Sequence, residues 1–124
     1  WGTWCGPCRE AIPHLIDLSR KYDRRGLAVV GLTYEKSDPT DPQTRENVKN
    51  FVQQAGIPYP CLMGDEPTLK LVPNLKGFPT SLVLDRAGKV RLLVTENGAS
   101  SLDLIQDVVL VLLAEPAPQA AKPK

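Results

Sequence analysis

Two cysteines two residues apart, in Trp4-Cys5-Gly6-Pro7-Cys8, stand at the head of a segment patterned as a helix. From Cys8 onward, Ile12, Leu15, Ile16, Ser19 and Tyr22 fall on one stripe at three- and four-residue steps, which predicts an amphipathic helix. Pro7 then lies in the first turn, where a missing N–H costs nothing. Cys5 lies just ahead of it, at the positive end of the macrodipole and beside unpaired backbone N–H groups. A thiol attacks a disulfide only as its thiolate, and a free cysteine, with a pKa of about 8.5, is mostly protonated at neutral pH. The helix start favours the anion at Cys5. Cys8, three residues on, reaches the same sulfur from a backbone deeper in the core. The expectation is an exposed attacking Cys5, which forms the mixed disulfide, and a shielded resolving Cys8, which releases the product. Gly6 and Pro7 set how well the small ring closes.

Trp4 supplies a flat apolar wall beside the sulfurs, either to dock a substrate chain or simply as a partly buried aromatic. The competing use of the pair is metal binding. A structural zinc site needs four ligands, and the remaining candidates are Cys61 and His14. His14 is six residues from Cys8 on the same helix and so near its opposite side, which argues against shared ligation. No metal site is expected, and His14 reads as a solvated helix residue. Cys61, in the apolar extended stretch Ile57-Pro58-Tyr59-Pro60-Cys61-Leu62-Met63, reads as a small hydrophobe of the core rather than a third redox thiol.

The 124 residues, 42% apolar and with a net charge of +1, fit one domain and give no electrostatic push toward nucleic acid or an anionic membrane. Domain limits of 1–114 are expected, followed by a disordered tail over 115–124, where prolines, alanines and lysines replace large apolar side chains. A buried parallel strand is expected over Leu27 to Thr33, after a helix stop at Gly26. Asp41-Pro42 caps a second helix with the stripe Val48, Phe51, Val52 and Ala55, closed by Gly56. Glu66 to Val72 fits a short helix. Thr80 to Asp85 and Lys89 to Thr95 form a hairpin around Arg86-Ala87-Gly88. Ser100 or Ser101 opens a last helix with Leu102, Ile105, Val109 and Leu112 inward. The apolar run Val108 to Ala114 is too short to span a bilayer.

Trp4-Cys5-Gly6-Pro7-Cys8 resembles the active site of the thioredoxin superfamily, and Gly77-Phe78-Pro79-Thr80-Ser81-Leu82-Val83-Leu84-Asp85 resembles its cis-proline loop. Arg9-Glu10-Ala11-Ile12-Pro13, Pro79-Thr80 and the turn Asp85-Arg86-Ala87-Gly88-Lys89-Val90 are most similar to the TlpA and ResA group. The resemblance implies an α/β fold, the thioredoxin-like three-layer sandwich. It also implies that the backbone of Phe78 pairs with a substrate peptide and that Pro79 packs against the disulfide. In ResA-like members an acidic residue after the strand that follows the first helix relays a proton beneath the cysteines. Glu35, at the end of Val29-Val30-Gly31-Leu32-Thr33-Tyr34, occupies that place, against the alternative of a solvated loop glutamate. The implied activity is thiol-disulfide oxidoreduction, in the direction of reducing protein disulfides, such as those met in cytochrome c maturation. No cofactor is implied beyond the Cys5-Cys8 disulfide. The implied partners are protein thiols and disulfides and a membrane thiol-disulfide electron donor, in an extracytoplasmic location. A peroxidase-type redoxin is disfavoured by the paired cysteines. A soft-metal carrier is disfavoured because no histidine follows residue 14. A domain serving only for binding is disfavoured by the intact pair.

One departure bears on the fold. In the family a strand leads directly into the tryptophan and first cysteine, after an amino-terminal hairpin and often a membrane anchor, whereas this sequence starts at Trp1. That strand lies in the middle of the sheet, between the strands corresponding to Leu27–Thr33 and Ser81–Leu84. An incomplete sandwich is therefore expected, with facing edges whose unpaired backbone groups cost about 1–3 kcal/mol each where buried, against a usual stability of about 5–15 kcal/mol. The 124 residues alone are expected to fold poorly and to be inactive, with any membrane contact made through a preceding anchor.

Overall fold

The computed structural model describes residues 1–95 and 98–119. Its first helix, α1 (Gly6–Tyr22), buries Cys8, Ala11, Ile12, Leu18 and Ser19. The buried stripe is thus rotated from the expected one: Leu15 and Ile16 are only half-buried, and Ile16 borders a surface groove with Phe51 of the second helix. Gly26, with φ 113°, ends the helical turn Asp23–Arg25 that follows. The second helix, α2 (Pro42–Ala55), begins where Asp41 accepts a hydrogen bond from the Gln43 N–H at 2.8 Å, and it ends at left-handed Gly56. The short α3 (Glu66–Leu69) carries a reciprocal cap between Asp65 and Thr68, and it is shorter than expected, ending before Val72. The last helix, α4 (Ala99–Ala114), opens at Gly98, without a side-chain cap, and not at Ser100 or Ser101. Its inward face is Ile105, Val109 and Leu112, with Leu102 half-buried.

The strands form two separate pairs. The strand β1 (Gly31–Thr33) runs parallel to β2 (Cys61–Met63), with Gly31 opposite Cys61 and Thr33 opposite Met63. The longer strand expected from Leu27 is not formed, because β2 offers no ladder before Cys61: Pro58 and Pro60 lack the N–H that pairing needs. Leu27 to Val30 run alongside without a partner strand. The antiparallel hairpin β3 (Ser81–Leu84) and β4 (Val90–Val94) has a bulge between Val83 and Leu84. Gly88, with φ 81°, permits its turn, and the Asp85 carboxylate accepts from the N–H groups of Ala87 and Lys89 at 2.9 and 3.0 Å.

The core joins α1, α4 and the hairpin. Leu18, Ile105 and Val109 are buried together, with Leu27, Val83, Leu92 and Val94 packed around them. Burying each such side chain contributes about 1.5–3 kcal/mol. Arg91 binds Glu115 through two bonds of 2.9 Å each, and Arg86 donates to the Glu115 carbonyl, so the residue after α4 is held to the hairpin. Glu115 falls inside the tail expected from 115; residues 120–124 of that tail lie outside the described residues.

Between the two sheets lies a cavity of about 540 Å³, bordered by Leu27 to Leu32 on one side and Thr80 to Leu84 on the other. Ala11, Ile12 and Leu15 of α1 line it as well. Among the described residues no hydrogen-bonded ladder crosses it. At its end the Trp1 nitrogen donates to the Leu32 carbonyl at 3.0 Å, and the Tyr34 N–H donates to the Trp1 carbonyl at 2.7 Å. These are the two bonds of a parallel pair, and they flank Thr33.

Two outcomes follow from this architecture. With an apolar slot open between its half-sheets, the 124-residue chain binds 8-anilinonaphthalene sulfonate and melts over a broad range; a sharp two-state melt without dye binding contradicts this. The Asp85 carboxyl is held below the ordinary aspartate range, first by the Lys89 N–H and then by Ala87 and Arg91. Its contribution is therefore present above the unfolded pKa of about 3.9 and lost as pH falls through the lower folded value. Asp85→Asn lowers the melting temperature at pH 7 and removes that part of the acid sensitivity, as read by thermal melts at pH 7 and near pH 2 to 3.

Candidate active site

The chain arrives at α1 in an extended conformation at Cys5 (φ −91°, ψ 109°), and the Cys5 sulfur takes the place usually held by a serine or aspartate oxygen at a helix start. The Cys8 N–H donates to the Cys5 Sγ at 3.3 Å. Pro7 sits in the first turn, where the helix has no N–H to lose. Cys5 and Cys8 are joined by a disulfide, with their Cα atoms 5.3 Å apart. This arrangement follows from the local sequence, since a helix that starts at Gly6 brings positions 5 and 8 together on one turn.

Exposure differs from expectation in one respect. Cys8 is buried, 2% exposed, but Cys5 is buried as well, 5% exposed. The Cys5 N–H donates to the Gly2 carbonyl at 3.1 Å, closing a turn. Gly6 and Pro7 are the exposed members of the motif. Access to the disulfide is therefore across Gly6-Pro7 and the face of Trp4, which is 45% exposed.

Phe78 and Pro79, distant in sequence, come to the same place. The Phe78-Pro79 peptide is cis, and the Thr80 hydroxyl donates to the Gly77 carbonyl at 2.6 Å, tying the loop across its bend. Cys8, Phe78 and Pro79 border the same inter-sheet cavity. The Phe78 ring meets Trp4 edge-on, with centroids 6.0 Å apart and planes at 81°. Its other contact is Tyr34, stacked at 5.6 Å and 14°. The Trp4 indole N–H donates to the Tyr34 carbonyl at 2.8 Å, and the Lys36 ammonium lies 4.7 Å from the Trp4 ring centroid. Trp4, Phe78 and Tyr34 thus form one aromatic wall beside the disulfide.

Glu35 is half-buried, and what its carboxylate touches is Thr3: Oε2 accepts the Thr3 N–H at 3.0 Å, and Oε1 accepts the Thr3 hydroxyl. It therefore braces the segment two residues before Cys5 rather than contacting a sulfur directly. Cys61 is a free, half-buried thiol in β2, and burial pushes its pKa up, so it is protonated at neutral pH. His14 is exposed on α1. Among the described residues no cluster of three or more histidine, cysteine or acidic side chains is arranged to hold a metal ion, and no helix is long and apolar enough to cross a membrane.

Sequence reasoning did not single out Tyr34, Thr3 or Lys36. Tyr34 carried one usable signal, an aromatic at the end of a strand that also delivers Glu35, but its partner Phe78 is brought in by the fold.

The motif and the geometry have counterparts. The family model described as AhpC/TSA family matches residues 1–93. The thiol-disulfide oxidoreductase ResA of Bacillus anthracis is 32% identical over 90 residues, which cover 73% of this chain and 48% of that protein. The chain thus spans about half the length of the curated relatives it matches. Among solved structures, a thioredoxin-family thiol:disulfide interchange protein of Chlorobium tepidum is 29% identical, with a TM-score of 0.71 over 91% of this chain and 75% of that one. A secreted thiol-disulfide isomerase of Corynebacterium glutamicum is 26% identical, with a TM-score of 0.71 over 93% of this chain and 68% of that one. With that family match over most of its length and these structural neighbours, the chain belongs to the AhpC/TSA family and has the thioredoxin-like α/β fold.

Proposed function

We propose that the protein is a thiol-disulfide oxidoreductase that reduces protein disulfides through Cys5 and Cys8. The observation that carries this reading is the Cys5-Cys8 disulfide with the Cys5 sulfur capping α1. In the reduced protein the Cys5 thiolate attacks one sulfur of a substrate disulfide, and the other substrate sulfur leaves as a thiolate and takes up a proton. The Cys8 thiolate then attacks the Cys5 sulfur of the mixed disulfide, and the second substrate thiolate departs. Two electrons pass from the dithiol to the substrate, leaving Cys5-Cys8 oxidised. A dithiol donor at the membrane returns them by the same exchange run in reverse.

The remaining roles follow from position. Trp4, Gly6 and Pro7 form the exposed rim over which a peptide approaches, and Phe78 offers backbone groups beside Pro79 for that peptide to pair with. Glu35, whose carboxylate holds Thr3 two residues ahead of Cys5, takes the proton that Cys8 loses. The neighbour named as a secreted thiol-disulfide isomerase supports an extracytoplasmic location, and oxidised substrates of the kind met in cytochrome c maturation fit the reducing direction. The vicinal pair favours disulfide exchange over peroxide reduction by a lone cysteine and over carriage of a soft metal.

Insulin reduction by the full-length protein and its variants, matched in far-ultraviolet circular dichroism, tests the assignment. Cys5→Ser and Cys8→Ser both lose turnover, and only Cys8→Ser accumulates a mixed disulfide. Cys61→Ser turns over as the unaltered protein does, because its thiol is held protonated away from the pair. A trapped substrate on Cys5→Ser reverses attacker and resolver; undiminished turnover in both single variants overturns the proposal.

A further inference from the structure

Tyr34 has no part in the exchange chemistry, yet it contacts both other members of the aromatic wall. Its carbonyl fixes the Trp4 indole, and its ring lies flat against Phe78, the residue that precedes the cis peptide. Its hydroxyl is bonded to the Thr68 hydroxyl at 3.0 Å, and Thr68 is in turn locked in the cap of α3 by Asp65. Beneath the ring is Gly64, where a Cβ would stand 2.5 Å from two of the ring atoms. A glycine at the end of β2 is thus what lets the Tyr34 ring reach Phe78. Chain from the ends of β1 and β2 and from α3 converges to set the angle of one phenylalanine.

We infer that Tyr34 is a positioning residue that fixes Phe78 and Trp4 as a flat docking wall for a substrate peptide carrying an apolar or aromatic side chain next to its cysteine. The inference rests on the disulfide-exchange reading above. A flat ring pair edged by Trp4 offers stacking area and no buried charge, so it selects for a large apolar neighbour and not for a particular ion pair. The Lys36 ammonium stands over the Trp4 ring, 4.7 Å from its centroid. Because Tyr34 touches neither sulfur, its effect falls on peptide binding and leaves the intrinsic reactivity of the pair unchanged.

The test, made in the full-length protein, compares two oxidised substrates, a cystine-bridged peptide with phenylalanine beside each cysteine and the small non-aromatic disulfide bis(2-hydroxyethyl) disulfide. Tyr34→Ala raises KM for the peptide about three- to tenfold, the worth of one aromatic pair, with kcat little changed and with unaltered single-turnover rate on the small disulfide. Tyr34→Phe, which keeps the stack and loses only the hydroxyl, restores most of the peptide affinity. Should Tyr34→Ala lose both substrates through misfolding, Tyr34→Leu decides, since it keeps apolar bulk and every main-chain bond but cannot stack. A peptide KM for that variant equal to that of the unaltered protein overturns the inference. If the full-length protein reduces neither substrate, it is the exchange reading that fails, and the two failures are separable.

Discussion

The hydrogen bond from the Cys8 N–H to the Cys5 sulfur is the contact on which the rest of the site depends. It makes a sulfur the cap of a helix, so the reactive atom is fixed by secondary structure and not by a flexible loop. The same bond places that atom against the unpaired N–H groups and the positive end of α1, which favour an anion there. Burial works in the opposite sense. Cys5 is 5% exposed, and desolvation alone disfavours a thiolate. The proposed exchange requires the helix start to outweigh burial, and the Cys8 N–H donated to the Cys5 sulfur is the contact that supports it.

Around this fixed atom the molecule is organised in two grades of order. The α1, α4 and hairpin side has a packed core around Leu18, Ile105 and Val109, and its hairpin is tied to the end of α4 by Arg91 and Glu115. The β1 and β2 side is held more lightly, with Leu32 and Leu62 38% and 53% exposed across the register from one another. The slot between the two lies directly behind Cys8 and Pro79, so the floor of the site and the weakest part of the sheet coincide. What spans the gap near the motif is aromatic: Trp4, Phe78 and Tyr34 link the helix start, the cis-proline loop and the end of β1.

Local signals were legible in the sequence wherever one short segment decides the structure. Asp41-Pro42 and Gly56 bound α2, Asp85 and Gly88 shape the hairpin turn, and the spacing of the two cysteines sets the first turn of α1. The slot was legible too, but only through the family resemblance that located a strand between β1 and β3. Features set by distant contacts were not. The strand from Leu27 shrank to Gly31–Thr33 because the prolines ahead of β2 left nothing to pair with. Neither the burial of Cys5 nor the turn back to Gly2 is encoded in the helical pattern. Glu35 lies at the expected end of β1, but its partner Thr3 is thirty-two residues away in sequence, and Tyr34 gains meaning only when Phe78 and Gly64 arrive beside it.

The most direct test of the central claim is the pH dependence of alkylation at Cys5, followed by thiolate absorbance at 240 nm in a Cys8→Ser, Cys61→Ser background. The account predicts that Cys5 titrates below the ordinary cysteine value of about 8.5, with an alkylation rate that has levelled off by neutral pH. A titration at or above that value, with alkylation still rising through the alkaline range, would contradict it.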